Sequence, residues 1–303
     1  MFFKAAFKNA SIYIQFLMIF IVVAFCMMFA AFLVSLLIIS KIGISPEVIK
    51  EVQQNLLEYP DIIRETQFLQ MLGLFLFPAI ICAWLFSDNY KEYLQIENPI
   101  KISVAVWTVI SMIVAIPFLN LTYSINQQMV FPEALKGLET LIKEMEEANA
   151  QMLEIILNTK NISTIIFNIL IVCVIAGVSE EFMFRGLLQK LFGKVVKNHH
   201  ILIWIIAILF SSIHFQFYGF ITRLLLGAYL GYLMYYTKTI WIPVLAHFIN
   251  NLVSIGAYYL FQDAPDKVKE IDALGTGGTW WISVASIALF LFCLSKIKKA
   301  ISQ

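Results

Sequence analysis

Long apolar runs, not alternation, dominate the chain. One run without a charge extends over 11–40. Others cover 68–86, 102–121, 162–188, 201–217, 219–236, 240–261 and 279–294, with only isolated polar residues inside them. A helix crosses the hydrocarbon core of a bilayer with about 20 predominantly apolar residues. In hydrocarbon every backbone N–H and C=O must be bonded within a helix or a closed barrel. Runs of this length without period-two alternation predict helices rather than barrel strands. The expected fold is all-α, a polytopic membrane bundle of about eight transmembrane helices. The first run is too long for a signal-peptide core and lacks a cleavage site, so it is expected to remain as a mature helix.

One segment has a different period. Over 133–157, apolar residues recur at Leu135, Leu138, Ile142, Met145, Met152 and Ile156 with acidic residues between them, and Pro132 stands at the start. This pattern predicts an additional amphipathic helix, lying on the outer membrane surface. No internal repeat or low-complexity stretch divides the chain, which reads as a single membrane domain, 1–303.

Composition strengthens the membrane reading. The chain is 60% hydrophobic and 14% charged, with a mean hydropathy of +0.83. Soluble domains average about 45–50% apolar and about 25% charged residues. A net charge of +1 gives no electrostatic reason to expect nucleic acid as a partner. Membrane lipid is the expected solvent. Cys26, Cys82, Cys173 and Cys293 all fall inside apolar runs without zinc or disulfide spacing, and read as small buried apolar residues.

Loop charges set the expected orientation. Lys4 and Lys8, then Lys190, Lys194 and Lys197, then Lys296, Lys298 and Lys299 fall on one side of an eight-span bundle. Glu139, Glu144, Glu146, Glu147 and Glu154 fall on the other. The positive-inside rule places both termini in the cytoplasm of a multi-pass plasma (inner) membrane protein.

Polar residues inside the spans carry the chemistry. A charged group in hydrocarbon costs at least ~2.5–3.5 kcal/mol and usually marks function. The fourth run contains Ser179-Glu180-Glu181-Phe182-Met183-Phe184-Arg185-Gly186. Glu181 and Arg185 share a helix face at i,i+4 and can pair. Glu180 points about 100° away, which leaves it without an evident charged partner. Desolvation of such a carboxylate suits a proton-accepting base. The fifth run contains Phe210-Ser211-Ser212-Ile213-His214, with His214 deep in an apolar helix. The seventh places His247 and Asn251 on one face at i,i+4. At a rise of 1.5 Å per residue, Glu180 lies about 18 Å from the cytoplasmic end of its helix, His214 about 20 Å into its span and His247 about 10 Å into its own. Depths this similar allow one shared site.

A carboxylate and a His can activate water while a second His and an amide stabilise an oxyanion. Two His and a carboxylate are equally an ordinary zinc set with water in the fourth position, in which case Glu180, His214 and His247 would be the ligands. Ser211 and Ser212 lack the acid–His arrangement of a serine nucleophile. Arg223, in the sixth run, is expected to snorkel or pair near the outer end of its helix.

Glu-Glu-x-x-x-Arg (Glu180, Glu181, Arg185), then Phe-x-x-x-His (Phe210, His214), then His-x-x-x-Asn (His247, Asn251) resembles the CAAX protease and bacteriocin-processing family, which includes the type II CAAX prenyl endopeptidases and the Abi proteins. The stretch Leu226-Gly227-Ala228-Tyr229-Leu230-Gly231 is similar to that family's small-residue helix, a packing feature. The resemblance covers 162–255 and makes 162–262 a catalytic core, whereas 1–130 carries no recognised motif. It implies an intramembrane endopeptidase whose substrate is a membrane-associated peptide or protein, prenylated in the CAAX-type case. Glu180 would be the base, His214 would hold and activate water, His247 and Asn251 would stabilise the oxyanion, and Glu181 and Arg185 would shape the site. Both a metal-free glutamate mechanism and a zinc form belong to this reading. The metal-free form is preferred because the tight His-Glu-x-x-His spacing of zinc peptidases is absent. The rival readings are a non-catalytic bacteriocin-immunity protein and a transporter. The retained site residues speak against the first, and the lack of paired Gly/Pro-broken helices in two matching halves speaks against the second.

Overall fold

The computed structural model describes residues 3–43, 45, 50 and 55–303, and helices are the regular elements there. In chain order these are α1 (Ile12–Ile42), α2 (Pro60–Phe86), α3 (Ile102–Val114), α4 (Ile116–Gln127), α5 (Lys136–Leu157), α6 (Ile162–Phe192), α7 (His199–Ser212), α8 (Phe220–Thr237), α9 (Trp241–Leu260), α10 (Pro265–Asp272) and α11 (Trp280–Ser302). The all-α expectation holds, and the chain is a multi-pass membrane protein.

Length and composition alone do not bear out the count of about eight spans. Among the described residues, five helical stretches are long and apolar enough to cross a membrane, with α3 and α4 making a sixth if the two are one span bent by 45°. The difference has a physical cause in α7, whose 14 residues reach only about 21 Å at 1.5 Å each, short of a ~30 Å hydrocarbon core. In α9, His247, Asn250, Asn251 and Ser254 dilute the apolar sequence. The amphipathic helix forms as α5, behind a short 3-10 turn over Glu133–Leu135 that follows Pro132.

The described chain packs as two compact units. The first holds residues 1–95 and 149–191. There α2 lies close against α1 at Gly73, where a Cβ would stand 2.7 Å from the Ala30 Cβ and 3.0 Å from the Cys26 carbonyl oxygen. A side chain at 73 would force these helices apart. A π turn over Leu72–Leu76 widens α2 at that point. Asn161 caps α6, its side-chain oxygen accepting from the amides of Ser163 and Thr164. Two more π turns interrupt α6, at Leu170–Ile175 and Phe182–Leu188.

A buried polar node ties this unit together. Arg64 donates from Nε to Asn168 Oδ1 at 3.0 Å and from Nη2 to the Ile156 carbonyl at 2.7 Å. Asn168 Nδ2 donates to the same carbonyl at 2.8 Å. That carbonyl lies in the last turn of α5, where no intrahelical donor remains, so a cation and an amide supply what the helix end lacks.

The second unit holds residues 96–148 and 192–303. Val104, Met112, Leu230, Ile242, Ala246 and Ile297 form its core, contributed by α3, α8, α9 and α11. A smaller cluster of Ile203, Ala207 and Ala228 joins α7 to α8. The small residues expected to serve packing do so. At Gly227 a Cβ would sit 3.0 Å from the Phe210 ring and 3.3 Å from the Ala207 backbone.

Candidate functional site

The motif residues fall into the two units, each with its own geometry. In the first unit, α6 carries Glu180 and Glu181 on the α-helical turn between its two π turns, and Arg185 inside the second. Glu181 Oε1 accepts from Arg185 Nη1 at 2.8 Å, and both side chains are fully buried. The i,i+4 pair expected from the sequence is present. Arg185 sits in the Phe182–Leu188 π turn, an irregularity that recurs at functional sites. Its guanidinium also lies 5.9 Å from the Phe184 ring centroid, and Phe184 in turn meets Phe75 of α2.

Glu180 is buried as expected, but it is not isolated from charge. Arg185 interacts electrostatically with Glu181 most strongly and with Glu180 as well. The two carboxylates therefore share the field of one cation, which revises the expectation of a carboxylate without a charged partner. The reason is local: a guanidinium reaches far enough from its own Cα to influence acids at both i−4 and i−5.

In the second unit, Phe210 organises the histidines. Its ring meets His214 edge-on at 5.3 Å between centroids and His247 edge-on at 5.9 Å. One aromatic ring on α7 thus contacts both histidines of the motifs. His247 is buried on α9, and Asn251, one turn later, is half-buried with its Oδ1 accepting from Asn250 Nδ2 at 3.2 Å.

His214 departs from the sequence expectation. It is not inside a helix, because α7 ends at Ser212 and residues 213–216 form a turn with Phe215 in the left-handed region at φ 51°. His214 Nδ1 lies 2.8 Å from the Phe210 carbonyl. A carbonyl can only accept, so Nδ1 is protonated, and in the neutral ring Nε2 then carries the lone pair. This is the tautomer a proton acceptor or a water-orienting group needs.

The turn is held by residues outside the motifs. Ser211 Oγ donates to the Phe220 carbonyl at 2.7 Å, which commits that hydroxyl to structure. Arg223 donates from Nη1 to the Gln216 side-chain oxygen at 2.7 Å and from Nη2 to the Gln216 carbonyl at 2.6 Å. Its guanidinium covers Gly219, where a Cβ would come within 2.8 Å of both terminal nitrogens. Arg223 is thus a clamp on the His214 loop, not a snorkelling cation. From α5, Glu139 Oε1 accepts from the Tyr218 hydroxyl at 2.8 Å and Glu146 Oε1 from the Tyr218 amide at 3.0 Å. The amphipathic helix therefore grips the same loop from its other end. Sequence reasoning missed the roles of Gln216, Tyr218, Glu139 and Glu146, and also the Arg64–Asn168 node. The one signal available was the presence of polar residues amid apolar ones.

For the zinc reading, Glu180, His214 and His247 would have to form one coordination group. Among the described residues no three His, Cys, Asp or Glu groups are arranged to hold a metal ion.

Residues 162–253 match the family model described as type II CAAX prenyl endopeptidase Rce1-like. No curated protein and no solved structure matches the chain. The matched segment contains Glu180, Glu181, Arg185, Phe210, His214, His247 and Asn251, as well as the loop clamp Arg223. Over residues 162–253, the chain is similar to the Rce1-like type II CAAX prenyl endopeptidases, which supports assigning that segment to the CAAX protease family.

Proposed function

We propose that the protein is an intramembrane endopeptidase that hydrolyses a peptide bond of a membrane-associated, CAAX-type prenylated substrate by activated water. The observation that carries this reading is the contact of one ring, Phe210, with both motif histidines inside the family-matched segment. Glu180 takes the proton from water. His214 offers Nε2 as an acceptor for water, its ring held by the Phe210 carbonyl. His247 and Asn251 donate to the oxyanion of the tetrahedral intermediate, a role in which preorganised donors typically contribute about 10²–10³-fold in rate. Glu181 holds Arg185 in place, and Arg185 shapes the electrostatics around Glu180. With α3 and α4 as one bent span, the six spans put both termini on one face, and the lysines of the tails and of the loop after α6 make that face the cytoplasmic side of the plasma membrane.

The test is a cleavage assay on detergent-purified protein with a prenylated peptide library, repeated with Glu180→Gln and after treatment with a chelator. Cleavage that Glu180→Gln abolishes and the chelator leaves intact is the expected result. No cleavage of any prenylated peptide by folded protein refutes the substrate class. Activity lost with stoichiometric zinc, and restored with it, refutes the metal-free chemistry.

A further inference from the structure

The second unit contains a cavity of about 420 Å³ that the proteolytic reading does not use. Its walls come from α3, α4, α7, α8 and α11. One end lies at the bend between α3 and α4, where Pro117 cannot supply a backbone N–H, and is lined by Ala115, Phe118 and Leu119. The other end is lined by His200, Tyr232, Tyr236 and Lys298. Between the ends the lining is apolar, and it includes no Asp or Glu.

Length and charge identify the occupant. On α11 the lining runs from Phe290 to Ile301, and on α8 from Leu225 to Tyr236. Eleven residues at 1.5 Å make about 16 Å, close to half of a ~30 Å hydrocarbon core. The groove therefore has the length of one leaflet. Its polar end is cationic and donor-rich. Lys298 is exposed, with Nζ 5.9 Å from the Tyr236 ring centroid, and His200 Nδ1 is 2.7 Å from the Tyr232 hydroxyl. Lys296 and Lys299 follow on the same helix end. Such a site, apolar for the depth of a leaflet and cationic at one mouth, complements a long acyl chain ending in a negative head group.

We infer that this groove binds an anionic phospholipid, one acyl chain lying between α8 and α11 and its phosphate at Lys298 and His200. The site is separate from the motif residues, and the inference rests on membrane residence alone, not on the proteolytic reading.

Trp204 lines the groove and is exposed, which provides the readout. The full chain is reconstituted in phosphatidylcholine vesicles carrying a fixed minor fraction of brominated phosphatidylglycerol or of brominated phosphatidylcholine. Quenching of Trp204 is taken as the difference between wild type and Trp204→Phe. Brominated phosphatidylglycerol is expected to quench that component at a several-fold lower mole fraction than brominated phosphatidylcholine. Lys298→Ala should reduce the preference about fivefold, the equivalent of about 1 kcal/mol for one cation at the surface. Lys298 is exposed, so this variant leaves the core intact. Equal quenching by the two lipids overturns the anionic selection. No quenching of Trp204 by either overturns the groove as a lipid site. Loss of the phosphatidylglycerol signal on adding a farnesylated peptide would reassign the groove to substrate and overturn the proposal too.

Discussion

Glu181→Gln tests the division of labour between the two adjacent acids. Glu181 and Arg185 are fully buried and joined at 2.8 Å. The amide keeps the shape of the side chain and one acceptor, but removes the charge. Breaking a buried pair by removing one partner typically costs about 3–5 kcal/mol, because the remaining charge stays desolvated. Arg185 retains one compensation, the field of Glu180, so the lower end of about 3 kcal/mol is the expected loss. That is a large part of an ordinary net stability of ~5–15 kcal/mol. Glu181→Gln should therefore lower the thermal midpoint and the yield of folded protein.

Glu180→Gln should behave in the opposite way. The Glu181–Arg185 bond survives, the midpoint moves little, and removal of a general base lowers turnover by about 10²–10⁴-fold. The assay is turnover per folded molecule beside a thermal melt for each variant in the same detergent. A double-mutant cycle isolates the pair: the separate losses of Glu181→Gln and Arg185→Gln should sum to more than the loss of the double variant, since each single change leaves the other charge of the pair uncompensated. If Glu181→Gln keeps its midpoint but loses turnover, while Glu180→Gln stays active, the roles are reversed and the argument from the 2.8 Å bond fails.

Three further outcomes follow from the second unit. Gly227→Ala places a methyl 3.0 Å from the Phe210 ring and 3.3 Å from the Ala207 backbone; overpacking of about 1–3 kcal/mol is expected, with turnover falling because Phe210 contacts both histidines, and an unchanged melt and rate would refute the packing role. Arg223→Gln should lower turnover more than stability by freeing Gln216, and Arg223→Lys should fail to rescue it because a single ammonium cannot reproduce the two-nitrogen fork; full activity of the lysine variant would remove the clamp. The Lys143 hydrogen bond, with help from the Tyr218 hydroxyl, holds the Glu139 carboxyl below the usual range. The stability this gives is complete above the unfolded value near ~4.3 and is lost as pH falls through the lower folded value, so the stability difference between wild type and Tyr218→Phe, which lacks the hydroxyl bonded to Glu139, should be constant from neutral pH to about 5 and shrink only in stronger acid.

What the sequence made legible follows from what periodicity can report. Uninterrupted apolar runs located the long helices, a 3.6-residue period located α5, and i,i+4 spacing located the Glu181–Arg185 pair. The end of α7 was not legible. Ile213, Phe215 and Phe217 continue the apolar run past Ser212, so hydropathy has no edge to detect there. Phe215 adopts a left-handed backbone that its side chain does not favour, and no Gly or Asn marks the place. The shared field of Arg185 was hidden for a different reason. Helical-wheel angles assign faces to Cα atoms, whereas a guanidinium acts from several bonds beyond its own. The Arg64–Asn168 node was equally invisible, since its acceptor is the Ile156 carbonyl, 92 residues from Arg64.

The misread positions share a cause that bears on how a membrane bundle can hold chemistry at all. Arg185 lies in a π turn and His214 in a turn beyond a helix end, so both sit where regular backbone hydrogen bonding stops. At membrane depth irregular backbone is tolerated only where protein or enclosed water satisfies it. In the second unit the satisfying groups can be named: Ser211 bonds the Phe220 carbonyl, Arg223 the Gln216 carbonyl, and Glu146 the Tyr218 amide. None of these three side chains or their targets is a defining residue of the three motifs. Yet without them the turn would leave polar backbone groups unmet, at a cost of about 1–3 kcal/mol for each one that is buried. A regular helix through 213–216 would then be the better solution, and it would carry His214 away from the Phe210 carbonyl geometry that fixes its tautomer. The placement of the His214 ring is therefore decided as much by Arg223, Ser211 and Glu146 as by the motif that contains it.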